Sequence, residues 1–311
     1  MENYLISVSP FEGGLSCRIN CLVSSMKLAK KTGRKLLLYW PKNSWCNCYF
    51  SDLYENKIEE ISKENLKKII NSGDYKIYRE TLKNFENKGK FILINSSKFL
   101  GFSRENLQLK FEKIPKVAQK DILNYLNELR IREDILKIVD NFSKKNFSKE
   151  MIGIHIRKGD FKAIKNKVGS VSSDERFSDE INNLIRKDNI IKFFLSTESK
   201  DTEEKFKGMF KNKIITYPKR TQNREEENAV REALIELLLL SKSKIILGNF
   251  GSTFTEMAWF LGNCNPEMKI IVDKKALQEH IKLNEKKNSK FNRIKKFIYK
   301  FITPKDIQLL G

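Results

Sequence analysis

Residues 151–160 read Met-Ile-Gly-Ile-His-Ile-Arg-Lys-Gly-Asp. From Met151 to Arg157 the residues alternate with the period of two that marks a strand. The strand ends by presenting His155, Arg157 and Lys158, then a glycine turn and Asp160. In an open α/β sheet, ligands bind beyond the carboxyl ends of the strands, so a site is expected here. Arg157 suits a diphosphate, because a planar guanidinium donates two parallel hydrogen bonds to phosphate oxygens. Asp160 either holds that guanidinium or fixes the turn; a plain surface Arg–Asp pair is the alternative. His155 lies one alternation inward from Arg157 and is one of two histidines in the chain. Alone it would read as a core histidine, but its place beside Arg157 assigns it to the site.

Downstream, further strands are expected at Ile190–Ser196, Lys213–Tyr217, Lys244–Gly248 and Lys269–Val272. Helices are expected between them at Asp201–Phe210, Glu226–Ser241 and Thr253–Leu261. Such alternation specifies a parallel sheet with helices on both faces. Upstream, a strand at Tyr4–Val8 runs through Gly13-Gly14-Leu15 into a helix with apolar residues at Ile19, Leu22, Val23, Met26 and Ala29. That helix stops near Gly33, and Lys35–Trp40, closed by Pro41, reads as a buried parallel strand. This is a βαβ unit with a right-handed crossover. Between residues 50 and 150 the pattern is less regular, with helices expected at Glu59–Ile70 and Val117–Val139 and a strand at Lys90–Asn95. The fold class is therefore α/β: two Rossmann-like domains facing a cleft, one over 1–145 and one over 146–275, with a basic tail over 276–311.

Three further segments carry polar groups at strand ends or on helices. Asn249-Phe250-Gly251-Ser252-Thr253-Phe254-Thr255-Glu256 joins a strand to a helix, where free amides and hydroxyls form an anion site. Ser252 or Thr253 as an ordinary N-cap is compatible with that. Phe194-Leu195-Ser196-Thr197-Glu198-Ser199 is another strand end with a carboxylate. Glu236 interrupts the Leu-rich helix Leu234–Leu240; it reads either as a solvent edge or as a cleft carboxylate able to accept from two donors of guanine. No Asp-x-Asp occurs in the chain, so Arg157 and the loop residues Lys219 or Arg220 are the candidate cations for a leaving diphosphate. No phosphate-binding P-loop or Ser-His-Asp order is present.

The formal charge of +21 calls for an acidic partner or reflects a chain rich in Lys, Asn and Ile throughout. Basic residues are scattered and no nucleic-acid-binding signature appears, so nucleic acid is the rival partner rather than the expected one. Residues 1–10 lack a basic n-region and an apolar core, and no run approaches a membrane span. Five cysteines in a chain this long fit the reducing cytoplasm. Cys17 with Cys21 and Cys46 with Cys48 are poorly spaced for zinc, so no metal is expected. The tail from Lys282 to Gly311 sets Phe291, Ile294, Phe297, Ile298, Phe301 and Ile302 among lysines. It reads as an amphipathic helix for an anionic membrane surface or as a final helix packed on the body.

These blocks resemble the α-1,6-fucosyltransferase and nodulation-fucosyltransferase group, which shares motifs with protein O-fucosyltransferases and bacterial α-1,2-fucosyltransferases. Gly13-Gly14-Leu15 through Arg18 is similar to that group's N-terminal motif, and His155-Ile156-Arg157-Lys158-Gly159-Asp160 to its His-x-Arg-(Arg/Lys)-x-Asp motif. Phe194–Glu198 is similar to a strand ending in acids, and Glu236–Thr253 to a block closing on a phosphate turn. The resemblance covers about half the chain, roughly residues 10–50 and 150–262. It implies the two-domain GT-B arrangement and inverting transfer from GDP-fucose, without a metal or other cofactor, to a glycan or lipid-linked acceptor. GDP-mannose or a GDP-deoxyheptose is the alternative donor. By the same resemblance Arg157 grips the β-phosphate, His155 and Glu236 meet guanine, and Ser252 meets phosphate. Gly14, Arg18, Lys158 and Thr253 join the GDP-sugar contacts, and Asp160 and Glu198 stand beside Arg157 as catalytic candidates. The chain departs from the group at Glu236, where Asp is usual, at Ser199 for a second acid, and at Lys158 for a second Arg.

Overall fold

The computed structural model describes residues 2–79, 82, 85–100, 111–158, 171–221 and 225–282. Two parallel sheets organise it. In the first, β1 (Tyr4–Val8) leads through Gly14 into α1 (Leu15–Thr32) and back into β2 (Lys35–Tyr39). β2 lies parallel to β1, with Tyr4 opposite Lys35 and Val8 opposite Tyr39. α1 ends where it must: Gly33 takes φ 65°, a left-handed conformation that glycine enters without strain, and its amide closes on Ala29 O. α2 (Lys63–Ser72), β3 (Tyr75–Arg79) and β4 (Phe91–Asn95) complete this half, in the strand order β2-β1-β4-β3.

The chain then crosses through α3 (Lys116–Asn127) and α4 (Glu133–Asn146) to the second sheet. Its strands are β5 (Ile152–Ile156), β6 (Phe193–Thr197), β7 (Ile214–Ile215), β8 (Ile245–Asn249) and β9 (Glu267–Ile271). They pair in parallel in the order β7-β6-β5-β8-β9, so the order reverses between β5 and β8 as in a doubly wound nucleotide-binding sheet. Helices α5 (Asp174–Lys187), α6 (Lys200–Phe210), α7 (Glu227–Ser241) and α8 (Thr253–Leu261) connect them. The α/β class and the two Rossmann-like sheets expected from the alternation are present.

The differences from expectation have local causes. The helix expected over Val117–Val139 is two helices, because residues 128–132 bond across to 53–56: Arg130 N donates to Asn56 Oδ1, and Arg132 N to Leu53 O. The helix expected from Glu59 starts instead at Lys63, capped by Ser62 Oγ, because Glu59 O and Ile61 N are taken by Leu38. β3 and α5 were not expected. β3 is a half-buried edge strand, and the apolar stripe of α5 (Phe177, Ile181, Leu184) sits among charges. Asp160 and the tail beyond Lys282 lie outside the described residues. Among the described residues no helix is long and apolar enough to cross a membrane.

The two halves share apolar contacts. Phe99 meets Phe260 and Phe111 meets Trp259 edge-on, with ring centroids 5.1 and 5.2 Å apart. Within the second sheet, Gly153 lets β5 approach α7: a Cβ there would lie 2.5 Å from Leu240 Cδ1 and 2.6 Å from Ser243 Oγ. Leu240 is fully buried and has little room to yield. Gly153→Ala should therefore destabilise the fold by ~1–3 kcal/mol, the usual cost of overpacking. An unchanged urea midpoint would show that α7 can retreat freely.

Candidate active site

The site forms where two strands part. β5 pairs with β8 only from Ile152↔Ile245 to Ile154↔Leu247, whereas its ladder with β6 continues to Ile156↔Thr197. Beyond Ile154 the gap toward β8 opens into a crevice, and side chains bridge it. Asn249 Oδ1 accepts the Arg157 amide at 2.8 Å. Thr255 Oγ1 lies 2.8 Å from His155 Nδ1, and Ser252 Oγ 3.4 Å from the same nitrogen. Phe254 stacks on the His155 ring, with centroids 4.7 Å apart and planes 27° from parallel. Thr255 reaches this place because residue 248 is glycine: a Cβ there would lie 2.2 Å from Thr255 Cγ2. His155, 3% exposed, is thus fixed from several sides.

A cleft with about 700 Å³ of empty space opens from this point. His155 and Arg157 line it from β5, Ser196, Thr197 and Glu198 from the end of β6, and Lys219 and Thr221 from the loop after β7. Ala229, Val230, Ala233 and Glu236 line it from α7, and Phe254 from α8. Gly14, Leu15 and Trp45 face them from the other half of the chain. Arg157 Nε is 3.6 Å from Glu198 Oε1, which also accepts the Lys158 amide at 2.7 Å. Glu198 therefore orients Arg157 and anchors the turn that follows it.

Glu236 points into the cleft, not to solvent, and is 5% exposed. Lys219 Nζ donates to its Oε2 at 3.2 Å and to Thr197 O, and lies 3.1 Å from Oε1. Oε1 is buried without a hydrogen bond. Burial pushes the Glu236 carboxyl up to about 7, against the opposing pull of Lys219.

Other residues singled out from sequence are committed to partners within the protein. Lys158 turns away to Asp174, 2.6 Å distant. Burial pushes the Asp174 carboxyl up, but hydrogen bonds from Lys158 and Lys205 outweigh it and hold the group below its usual range. Arg18 does not line the cleft. It is fully buried, and its guanidinium donates to Gly13 O, Pro41 O and Asn43 Oδ1 at 3.2, 2.6 and 2.9 Å. Asn43 Oδ1 also accepts the amides of Trp45 and Cys46, so Arg18 builds the loop that carries Trp45. Lys219, a candidate phosphate cation, is committed to Glu236. The Arg220 amide is held by Glu232, and Arg220 lines a separate cavity on the far side of the same loop. Ser252 is the N-cap of α8, accepting Thr255 N at 3.3 Å, and Thr253 Oγ1 lies 3.5 Å from Cys17 Sγ. Cys46 and Cys48 lie 3.8 Å apart at sulfur, while Cys21 bonds to Val8 O and Ile94 O. Among the described residues no cluster of three or more His, Cys, Asp or Glu is arranged to hold a metal.

The fold has counterparts of known structure. The NodZ α-1,6-fucosyltransferase soaked with GDP-fucose matches 84% of this chain and 93% of its own, at 17% identity and a TM-score of 0.55. This chain shares the fucosyltransferase fold. A mutant of Arabidopsis thaliana FUT1 in complex with GDP matches 87% of this chain and 70% of its own, at 14% identity and a TM-score of 0.56. POFUT1 in complex with GDP matches 87% and 99%, at 11% identity and a TM-score of 0.51. No protein-family model matches the chain, and no curated protein does.

The cleft carries a pH signature at Glu236. Its folded pKa of about 7 stands above the ordinary 4.5, so between those values the folded chain binds more protons than the unfolded one. The contribution of Glu236 to stability is then full below the lower value and lost as pH rises through about 7. Relative to Glu236→Gln, the parent should lose on the order of 1–3 kcal/mol between pH 5 and 8. Urea titrations of both proteins across that range check the sign; a parallel pair of curves would refute the burial argument.

Proposed function

We propose that this protein is a glycosyltransferase that moves fucose from GDP-fucose to a hydroxyl of a glycan or lipid-linked glycan, with inversion. The observation that carries the reading is the convergence of His155, Arg157 and Glu236 on one cleft at the point where β5 and β8 part. NodZ soaked with GDP-fucose, and the FUT1 mutant and POFUT1 in complex with GDP, share the fold and support the choice of nucleotide.

In this reading the guanine lies toward Glu236 and His155, and the diphosphate toward Arg157 and the capped start of α8 at Ser252 and Thr253. As the bond to the sugar breaks, the departing β-phosphate gains negative charge. The guanidinium of Arg157, held by Glu198 at its Nε and by the sheet at its backbone, is positioned to take up that charge without reorganising. A fixed cation at this place, together with a sequence that lacks Asp-x-Asp, is why we propose transfer without a metal. Gly14 and Trp45 would close the opposite wall, with the acceptor entering from that side. We place the enzyme in the cytoplasm, at the inner face of the membrane.

A thermal-shift panel tests the donor, since a ligand that binds only the folded state raises its melting temperature. GDP and GDP-fucose should stabilise the protein well above UDP or ADP; a UDP shift equal to that of GDP would overturn the reading. GDP-fucose turnover should persist in EDTA. Arg157→Ala should remove about 10²–10³ of the rate, the usual loss for one preorganised donor, with the fold intact. Arg157→Lys should recover little, because an ammonium lacks the fork. A folded Arg157→Ala within a few-fold of the parent would place the site elsewhere.

The tail is proposed to dock on anionic lipid, because lysines there alternate with phenylalanines and isoleucines from Phe291 to Ile302. Deleting residues 283–311 should abolish sedimentation with phosphatidylserine vesicles at low salt. Equal sedimentation of both forms would remove the membrane role.

A further inference from the structure

Lys219 and Glu236 are an ion pair in which both side chains are only 7% exposed. Taking two charges out of water is costly, and their mutual attraction offsets that only when the remaining lone pairs and protons are also satisfied. Here they are not. Glu236 Oε1, although 3.1 Å from Nζ, is buried with no hydrogen bond, and the ammonium, which carries three protons, gives one to Glu236 Oε2 and one to Thr197 O. One strong acceptor and one strong donor are left over, side by side, and both residues line the cleft. A pair built only for stability would have been closed, or replaced by apolar groups at no loss. A half-used pair in a cleft wall points to a ligand that completes it.

The surroundings define that ligand's shape. Ala229, Ala233 and Glu236 follow one another on α7 at spacings of four and three, so they share one helix face. Two methyl groups leading to a carboxylate make a shallow, smooth wall, suited to a flat heterocycle whose polar edge ends at Glu236 and Lys219. Along that edge the protein offers, in order, a donor from Lys219 and two acceptor oxygens from Glu236.

We infer that Lys219 determines base specificity, donating to the 6-keto oxygen of guanine while Glu236 accepts from the adjoining N1–H and 2-amino group. This rests on the GDP-sugar reading above and adds a second reader to it. Guanine presents acceptor, donor, donor along this edge, and each meets its complement. Adenine turns a 6-amino donor on the ammonium and an N1 acceptor on the carboxylate. Uracil matches at its first two positions but sets its 2-keto oxygen against the carboxylate. Lys219 is therefore a reader of the base and is not the phosphate cation that its place in a basic loop would suggest.

The test uses calorimetry on the full chain with three nucleoside diphosphates: GDP, IDP, which lacks the 2-amino group, and the 6-thioguanine analogue, which keeps N1–H and the 2-amino group but replaces the 6-keto oxygen with a weakly accepting sulfur. The parent should bind the 6-thio analogue about 10-fold more weakly than GDP, the low end of the range for one hydrogen bond to a charged group. IDP should also bind more weakly than GDP, through the contact it loses at Glu236. In Lys219→Met the preference for GDP over the 6-thio analogue should fall to within about threefold, and Lys219→Arg, which keeps a donor, should retain most of it. If the parent binds GDP tightly and the 6-thio analogue equally well, Lys219 does not read the base and the GDP-sugar reading stands. If the parent binds no purine diphosphate at all, that reading fails and this inference with it. Should Lys219→Met not fold, the parent's own ratios decide the matter.

Discussion

Everything functional in this chain hangs on the place where β5 and β8 stop pairing. Up to Ile154 and Leu247 the two strands are held by a parallel ladder; one residue later they separate, because their connections leave on opposite faces of the sheet. Exposed backbone at such a fork needs partners, and the sequence provides them as side chains. Asn249 takes the amide of Arg157, and Thr255, admitted by Gly248, takes the ring of His155. The groups that satisfy the fork are thereby the groups that aim the cleft. Arg157 emerges from a fully buried strand, which gives it a fixed origin that a loop residue would lack.

Two buried cations illustrate how the same desolvation penalty can serve different ends. Arg18 is saturated: each guanidinium nitrogen has a partner, and the partners are backbone and amide oxygens of the segments it ties together. Its charge is used up inside the protein and shapes the wall that carries Trp45. Lys219, with its side chain 7% exposed, is less deeply buried and is unsaturated, and one oxygen of the carboxylate beside it lacks a hydrogen bond. Hydrogen bonds to charged groups are among the stronger ones, so an idle charged donor and acceptor in a cleft amount to stored affinity for a complementary edge. Saturation, more than burial, separates these two cations.

Sequence periodicity was sufficient for most of the framework, because parallel strands and amphipathic helices advertise their buried faces. Among the described residues eight of nine strands agree with the sequence pattern, within a few residues of their ends; the exception, β3, is an edge strand with both faces half exposed and so carries no clean alternation. α5 was hidden by its charges, although Phe177, Ile181 and Leu184 keep the helical spacing. In the cleft, His155 and Arg157 were legible from their position at a strand end, and Glu236 from its isolation in a run of leucines. Lys219 stands out in the sequence for its charge, and its pairing with Glu236 does not. Its partner lies 17 residues away on a helix, and no periodicity relates a loop lysine to a carboxylate across a fold. Arg18 failed to read correctly for a related reason: nothing in a sequence tells a buried cation that completes a loop from one that awaits a phosphate.

What sets the width of the cleft is a single short helix. α8 begins at the fork, capped by Ser252, and presents Phe254 to His155 and the cleft. Two turns later the same helix buries Trp259 and Phe260 against Phe111 and Phe99 of the preceding half of the chain, and at its start Thr253 touches Cys17 on α1. A helix of nine residues is about 13 Å long and stiff over that length, so the ring that supports His155 and the rings that join the halves move as one body. The wall made by Gly14, Leu15 and Trp45 is therefore referenced to His155 through packing rather than through a flexible linker. Any motion that opens the cleft must either slide aromatic contacts past one another or tilt α8, and tilting α8 would withdraw Thr255 and Phe254 from His155. Displacement of α8 and loss of the contacts that hold His155 are consequently coupled.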